Sequence, residues 1–284
     1  MAFLLPLEPD EQAGSFSLTM VIRTAVREII AEQIEFRELF VQMTMRDLLL
    51  RYKQTAAGFA WAILMPLLNT AIFSVVFMRV APVQTRVAYP LFAYCGLLAW
   101  NFTASSLRFA VTSLTSNTNL VTKVFFPRET FPFAAVAVSL VDAAVASVVL
   151  VVMMAYEHIS IAPVVLMLPV VVVVHIAFTA ALALLLSMAN LFYRDVKYIF
   201  DVVLTVWMFA SAVVYPIDGL GGWLGTLMRI NPMTGIVEAY RSILLYGAPP
   251  DPVSFGAAAA LAAVLLPASW MLFHQLEFSF AERI

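Results

Sequence analysis

Two ionisable residues inside long apolar stretches are the first candidates for chemistry. Asp142 lies near the middle of one stretch, in VSLVDAAVA, and His175 lies within another. Ionisable groups at membrane depth are energetically costly and are functional by default, so the pair suggests a proton relay of the kind that a secondary transporter uses. The alternative is that Asp142 makes a polar contact between helices and that His175 hydrogen-bonds a neighbouring backbone or hydroxyl group.

Sequence motifs for bond-breaking chemistry are missing. The chain has no GxxxxGK[ST] loop for ATP, and no GxSxG, HExxH or CxxC pattern. The three histidines are far apart in sequence, and the single Cys95 cannot form an intrachain disulfide. We therefore expect no catalytic residue, cofactor or metal site in this chain. The formal net charge of −2 provides no basic field for nucleic acid.

Aromatic side chains are abundant, with 22 Phe, 9 Tyr and 5 Trp. Some of them will form belts at the membrane interfaces. Others could line a pore, where the apolar C–H faces of sugar rings would pack on them. The candidates for such a lining are Trp61, Phe73, Phe77, Trp100, Phe102, Phe109, Trp207 and Tyr215. For any one of them, packing against lipid is the alternative.

The elements that must position these residues are membrane spans. The chain is 63% hydrophobic and only 12% charged, whereas a soluble domain carries about 25% charged residues. Several apolar runs exceed the roughly 20 residues that cross a bilayer. We predict an all-α, polytopic membrane protein with six transmembrane helices. The predicted spans are residues 57–78, 90–110, 131–155, 163–190, 197–216 and 254–276.

A polar tail and a charged helix precede the first span. Residues 1–22 are predicted to be a flexible tail, and residues 23–52 form a helical pattern with one apolar face that includes Phe36, Phe40 and Met43. This helix is too charged to span. We predict that it lies along the membrane surface, within an interfacial segment that ends at residue 56; a soluble helix packed on another element is the alternative.

The basic residues indicate the orientation. With the N-terminus placed inside, 12 of the 16 Lys and Arg residues fall on the inner side. Arg46, Arg51 and Lys53 immediately precede the charge-free run from Gln54 to Met78. Cytoplasmic loops carry the excess of Lys and Arg, so both termini are predicted to lie inside.

Residues 217–253 do not resemble a span. They contain two apolar patches, around Trp223–Ile230 and Ile236–Leu245, that are separated by glycines and by Asn231–Pro232. Each patch is too short to cross a bilayer. We predict two short helices that dip in from the outer face, because irregular backbone at membrane depth must be buried in protein or line a wet cavity. An ordinary outer loop is the alternative.

The inner segment 111–130 carries a further candidate site. It begins with polar residues and ends with Lys123, two phenylalanines, Pro127, Arg128 and Glu129. We predict a short amphipathic helix that docks a separate soluble subunit, with an idle connecting loop as the alternative.

Taken together, these stretches resemble the type-2 ABC exporter permeases, in particular the polysaccharide, O-antigen or teichoic acid branch. Five motifs occur in family order and cover nearly the whole chain from about residue 25. They are RDLLLRYKQTAAGFAWAILMPLL at 46–68, YPLFAYCGLLAWNF at 89–102, NTNLVTKVFFPRE at 117–129, FYRDVKYIFDV at 192–202 and NPMTGIVEAYRSILLYG at 231–247.

The resemblance implies a transmembrane domain over residues 57–284, in a homodimer that pairs with two copies of a cytoplasmic ABC ATPase. ATP and Mg²⁺ would be bound there, and hydrolysis would drive export of an undecaprenyl-diphosphate-linked polysaccharide across the bacterial inner membrane. Residues 23–52 would be the interfacial helix, and residues 217–250 the outer gate helices. The aromatic candidates would line a channel between protomers.

The resemblance also assigns candidate residues to three tasks. For the lipid diphosphate at headgroup level, the candidates are Arg46, Arg51, Tyr52 and Lys53, although the same charges could have a purely topological role. For the ATPase contact, they are Asn119, Leu120, Lys123, Phe125, Phe126, Pro127, Arg128 and Glu129. For the outer gate, they are Asn231, Pro232, Glu238 and Arg241.

Other functions remain open at the level of sequence. The same fold could export teichoic acid, capsule or a drug. A proton-coupled secondary transporter would use Asp142 and His175 instead. A structural membrane scaffold would show no ATP-dependent flux.

Overall fold

A computed structural model describes residues 35–53, 55, 57–123, 126–217 and 221–283. The described residues contain α-helices and no strand, as the prediction of an all-α fold requires. The predicted tail 1–22 and residues 23–34 of the predicted interfacial helix lie outside the described residues.

The described part of the chain has ten α-helices. In order they are α1 Arg37–Tyr52, α2 Ala60–Val75, α3 Tyr89–Ser116, α4 Thr118–Lys123, α5 Thr130–Tyr156, α6 Leu168–Phe192, α7 Val196–Ala210, α8 Gly222–Ile230, α9 Pro232–Leu244 and α10 Pro252–Arg283. A π-helical turn, Val76–Val80, continues α2, and a 3₁₀ turn, Pro163–Met167, leads into α6.

Prolines mark where several helices begin. Proline occupies the first turn of α3, of the 3₁₀ turn before α6, of α6 itself and of α9, and it is the first residue of α10. Its missing N–H is tolerated there because the first amides of a helix have no partner within it. The prolines are therefore compatible with the starts of these helices.

Four helical segments are long and apolar enough to cross a membrane. They are Ala60–Val80, Thr130–Tyr156, Pro163–Phe192 and Pro252–Glu277, each close to a predicted span. Helix α3 has 28 residues but carries Asn101, Arg108 and several hydroxyl residues. Helix α7 has 15 residues, about 22 Å of helix, which is shorter than the hydrocarbon core.

Helix α3 forms the centre of the bundle. Leu91, Tyr94, Leu107 and Leu114, spread along its length, are fully buried. Helices α5 and α6 pack along α3, and α10 packs along α6. The apolar side of α1, through Phe36, Phe40 and Met43, packs on a cluster that also holds residues of α5, α6 and α10. The described part of the predicted interfacial helix thus has the apolar face that its sequence predicts, and this face packs on the bundle.

The predicted fifth span is wrong at its end. We expected helix to residue 216, but α7 stops at Ala210 and residues 211–214 form a buried non-helical turn, in which Ala212 has a positive φ of 49°. The carbonyls here are taken by side chains from elsewhere: Asn231 donates to Ala210 and Arg241 donates to Ala212 and Val213. Irregular backbone is tolerated at this depth because protein satisfies its polar groups.

Candidate functional site

A cavity of about 610 Å³ lies between α1, α2, α3 and α5. Its wall combines three kinds of group: charges, hydroxyls or amides, and aromatic rings. The charged members are Arg51, Arg108 and Asp142, the neutral polar members include Asn69, Asn101, Ser105 and Ser139, and the aromatic members are Tyr52, Trp61, Phe102 and Phe109. Hydrogen-bonding groups beside aromatic faces suit a ligand that is polar at its edges and apolar on its faces.

An ion pair closes one side of this cavity. Arg51, in the last turn of α1, donates to Asp142 of α5, and both side chains are more than four-fifths buried. Tyr52 donates its hydroxyl to the other carboxylate oxygen of Asp142 at 2.5 Å. Burial, reinforced by this hydrogen bond, raises the pKa of Tyr52 to about 12, so the hydroxyl remains a donor. The Arg51 guanidinium also lies 3.8 Å from the ring centroid of Phe109.

The predicted basic cluster is therefore divided. Arg51 is paired with Asp142, and Arg46 is hydrogen-bonded to Asn117 at 3.1 Å and paired with Asp47 at 2.8 Å. Lys53, just after α1, is exposed. Lys53 presents its charge at the surface, whereas the charge of Arg51 is balanced within the chain.

His175 belongs to a different group of polar residues. Its side chain is buried in α6, with Nε2 2.7 Å from the Thr103 hydroxyl and Nδ1 3.3 Å from the Tyr240 hydroxyl. These contacts agree with the interpretation that His175 hydrogen-bonds neighbouring hydroxyl groups, and the contacts of Asp142 agree with a polar contact between helices. No hydrogen bond in the described part of the chain joins the two residues directly.

The eight aromatic candidates occupy three places. Trp61, Phe102 and Phe109 line the cavity. Phe73 and Phe77 stack on each other, and Phe77 continues to Tyr89 at a centroid distance of 5.8 Å. Trp100, Trp207 and Tyr215 surround the end of α7, where the two tryptophan rings meet edge-on at 5.5 Å and Tyr215 donates to the Phe209 carbonyl.

The two predicted short helices are present as α8 and α9, and Asn231 joins them to α7. Its Oδ1 accepts from the Met233 amide and so caps α9, with Pro232 in the first turn. Its Nδ2 donates to the Ala210 carbonyl and the Ser211 hydroxyl, each at 2.9 Å. Trp207 of α7 donates to Asn231 Oδ1 at 3.3 Å.

Arg241 is buried and joins α9 to α3 and to the turn after α7, although its sequence position suggested an outer loop. The side chain is fully buried, pairs with Glu238 at 2.7 Å and donates to the Ala212 carbonyl at 3.0 Å. Its guanidinium lies 3.6 Å from the ring centroid of Phe92 in α3. Gly96 makes room for it, because a Cβ at that position would lie 2.4 Å from Arg241 Nη2.

The segment predicted to contact the ATPase, residues 119–129, is called the coupling segment below. Part of it packs against the rest of the chain. Asn119 is exposed on α4, and Leu120 packs on a core cluster. Phe126, Pro127 and Glu129 are buried. Phe125 lies outside the described residues, and the structure describes the backbone but not the side chain of Lys123.

Arg128 and Glu129 attach this segment to α10. The Arg128 amide donates to Glu277 at 3.1 Å, and the Arg128 guanidinium donates to the Glu277 carbonyl. Trp270 donates its indole N–H to Glu129 at 3.2 Å. Trp270 and Glu277 were not among the candidates from sequence. Their polar groups near the end of the last apolar helix were the available signal.

The fold and its apolar helices define a multi-pass helical membrane protein. The sequence profile of the family described as ABC-2 type transporter matches residues 38–245. The chain belongs to this family of transporter membrane subunits.

Curated relatives agree with this placement. A protein named O-antigen export system permease protein RfbA from Myxococcus xanthus is 31% identical over 259 residues, covering 90% of this chain and 99% of the relative. A protein of the same name from Klebsiella pneumoniae is 26% identical over 211 residues, covering 74% of this chain and 81% of the relative.

Proposed function

We propose that this chain is the transmembrane permease subunit of a system that exports an O-antigen type, lipid-linked polysaccharide. The similarity to the Myxococcus xanthus permease, over 90% of this chain and 99% of that one, carries the proposal. The cavity supports it, since aromatic rings beside hydroxyl and amide groups match the faces and edges of sugar rings.

The proposal includes the assembly that the sequence resemblance implies. The sequence has no P-loop, so a separate ABC ATPase binds ATP and Mg²⁺ and supplies the energy. Two copies of this chain and two ATPase subunits form the complex, in the inner membrane. The exposed surface of α4, which includes Asn119, is the part of the predicted coupling segment that is available to the ATPase.

The topology has six spans with both termini inside. Supporting this, α1, the α4–α5 connection and the ends of α6 and α10 share one apolar cluster, which includes Met43, Phe126, Leu191 and Phe280. The connections at the other end meet separately, as in the cluster of Val87, Ile159 and Tyr246. The fifth crossing consists of α7 and the turn 211–217, and α8 and α9 form the outer gate.

The lipid diphosphate lies near Arg46, Arg51 and Lys53, at the inner headgroup level. Reversing the charge of Lys53 tests this role most directly, because Lys53 is exposed and its replacement breaks no described ion pair. Lys53→Glu should slow export while leaving membrane insertion intact. Export at the wild-type rate, with normal insertion, would remove the assignment.

Deletion of the gene tests the proposed function itself. Lipid-linked glycan should accumulate on the cytoplasmic side of the inner membrane, and surface polysaccharide should disappear. A catalytically dead ATPase partner should reproduce both effects. An unchanged distribution of glycan would exclude polysaccharide and direct attention to a teichoic acid, capsule or drug cargo. Transport that persists without an ATPase and stops in Asp142→Asn would favour the proton-coupled alternative.

A further inference from the structure

Three potential metal ligands meet where the coupling segment joins the last helix. They are Glu129 at the start of α5, and His274 and Glu277, one turn apart on α10. One donor atom from each lies within 4.8 Å of the other two. Glu129 is fully buried, and the other two are half-buried. Glu129 is far from His274 and Glu277 in sequence, so the group forms only because the start of α5 meets α10 in the folded chain.

We propose that Glu129, His274 and Glu277 form a binding site for a divalent transition metal, best matched by Zn²⁺. Imidazole nitrogen and carboxylate oxygen are both donors that zinc takes in proteins, with bonds of about 2.0–2.2 Å. Donor atoms around a tetrahedral ion are then about 3.4 Å apart. The His274 Nδ1 to Glu277 Oε2 distance is already 3.6 Å, so closure requires mainly a small movement of Glu129.

Neighbouring groups orient the two carboxylates and leave the imidazole donor atom available. His274 Nδ1 is buried and has no hydrogen bond. Trp270 donates to Oε1 of Glu129, and the Arg128 amide donates to Oε1 of Glu277. Hydrogen bonds of this kind to ligating carboxylates typically orient them and strengthen metal binding.

The charges also fit a divalent ion. Two carboxylates and a neutral imidazole supply two negative charges, and the neighbouring Arg128, 3.9 Å from Glu277, supplies one positive charge. A bound Zn²⁺ would leave one net positive charge on the cluster. The ion would fasten the α4–α5 connection to α10, so metal would stiffen the segment that is proposed to meet the ATPase. The site itself does not depend on the identity of the exported substrate.

Zinc binding by the purified full-length chain tests the proposal. The protein should carry no polyhistidine tag, and should be stripped with chelator and titrated with Zn²⁺ alone. We expect about one equivalent of bound zinc per chain and a higher unfolding temperature. Magnesium should bind at least tenfold more weakly, since imidazole nitrogen does not suit it.

Variants separate this site from adventitious binding. His274→Gln should lose the bound equivalent and the rise in unfolding temperature. His158→Asn, at an exposed histidine with positive φ that asparagine tolerates, should behave as wild type. Trp270→Phe keeps the ring contact with Phe133 but removes the donor to Glu129, and should weaken binding roughly 10- to 100-fold.

Two results would overturn the proposal. One is wild-type protein that binds no stoichiometric zinc. The other is equal binding by wild type, His274→Gln and Trp270→Phe. If His274→Gln does not fold, Trp270→Phe and Glu277→Gln provide the comparison, and unchanged affinity in both would have the same meaning.

Discussion

At the scale of single residues, the Arg51–Asp142 ion pair joins the end of α1 to α5. The two side chains are 16% and 18% exposed, so losing one partner leaves a poorly solvated charge. Arg51→Gln and Asp142→Asn should each destabilise the protein, and the double variant should be more stable than their sum predicts. Coupling between contacting residues is about 0.5–3 kcal/mol, and we expect the upper half of that range.

Thermal unfolding of the four proteins in detergent would measure this coupling. The Arg108–Asp201 pair is the matched control, because its side chains are 56% and 63% exposed. Exposed pairs contribute roughly 0.2–1 kcal/mol, so the same cycle should give a smaller value there. Equal coupling in the two cycles would show that Arg51 is solvated in the membrane-bound protein.

Gly96 is a second residue at which a single added carbon atom should change the stability of the protein. A Cβ there would lie 2.3 Å from the Val213 carbonyl and 2.4 Å from Arg241 Nη2. Gly96→Ala must therefore displace the turn or the arginine, at a cost of about 1–3 kcal/mol for overpacking. The unfolding temperature should fall, and the proposed outer gate should lose its attachment to α3.

Gly256→Ala is the control for this change. Gly256 lies within α10, and a Cβ there meets nothing within 4 Å. Alanine in an exposed helix interior is favoured by about 0.8–1.0 kcal/mol over glycine, so this variant should be more stable than wild type. A Gly96→Ala protein as stable as Gly256→Ala would mean that Arg241 is not held as described.

At the scale of elements, Asp251 begins α10 and makes its stability depend on pH. Its carboxylate accepts from the Ser254 amide at 2.8 Å and the Ser254 hydroxyl at 2.7 Å, which caps the helix ahead of Pro252. These hydrogen bonds lower the pKa of Asp251. A carboxyl whose pKa is lower when folded stabilises the protein above its unfolded pKa, and that contribution disappears as the pH falls through the folded value.

Asp251→Asn separates the cap from its titration. Asparagine is about as good an N-cap as aspartate, so the two proteins should have similar stability at neutral pH. Below the usual range of aspartate pKa values, wild type should lose stability relative to the variant. Unfolding temperatures measured across that acidic range would test this, and parallel pH profiles would contradict it.

The helices also show which structural features can be predicted from sequence. The apolar runs predicted the four helical segments that are long and apolar enough to cross a membrane to within a few residues, because hydrophobic length is a property of the chain itself. The predicted end of α7 was wrong because side chains replace helical hydrogen bonds there. Asn231 and Arg241 donate these bonds, and they lie 21 and 29 residues from the carbonyls that they bind. No local pattern reports such a partner.

The candidate cavity illustrates the same limit. The sequence identified Arg51, Trp61 and Phe109 as separate candidates, each from its own local setting. It left two interpretations open for Asp142, because the local sequence around a carboxylate in a span is the same for a proton relay and for a structural contact. Only the packing of α1 against α5 brings Arg51 to Asp142, and no local pattern around Asp142 reports that partner.

At the scale of the whole molecule, the bundle separates its connections between two ends. Ser160, after α5, and Asn119, on α4, are both exposed, and helix α5 lies between their connections. The excess of Lys and Arg near α4 predicts that this end lies inside, so Ser160 should face outside. Single cysteines in a Cys95→Ala background can report this, since Cys95 is buried and is the only cysteine.

In spheroplasts, a membrane-impermeant maleimide should label Ser160→Cys directly and Asn119→Cys only after permeabilisation. Inside-out vesicles should give the opposite result, because the same two positions exchange accessibility when the membrane is inverted. Labelling of both positions from one side would mean that α5 does not cross. The reverse pattern would place the termini outside and would move the α4 surface away from any cytoplasmic ATPase, so the orientation tests the proposed coupling as well.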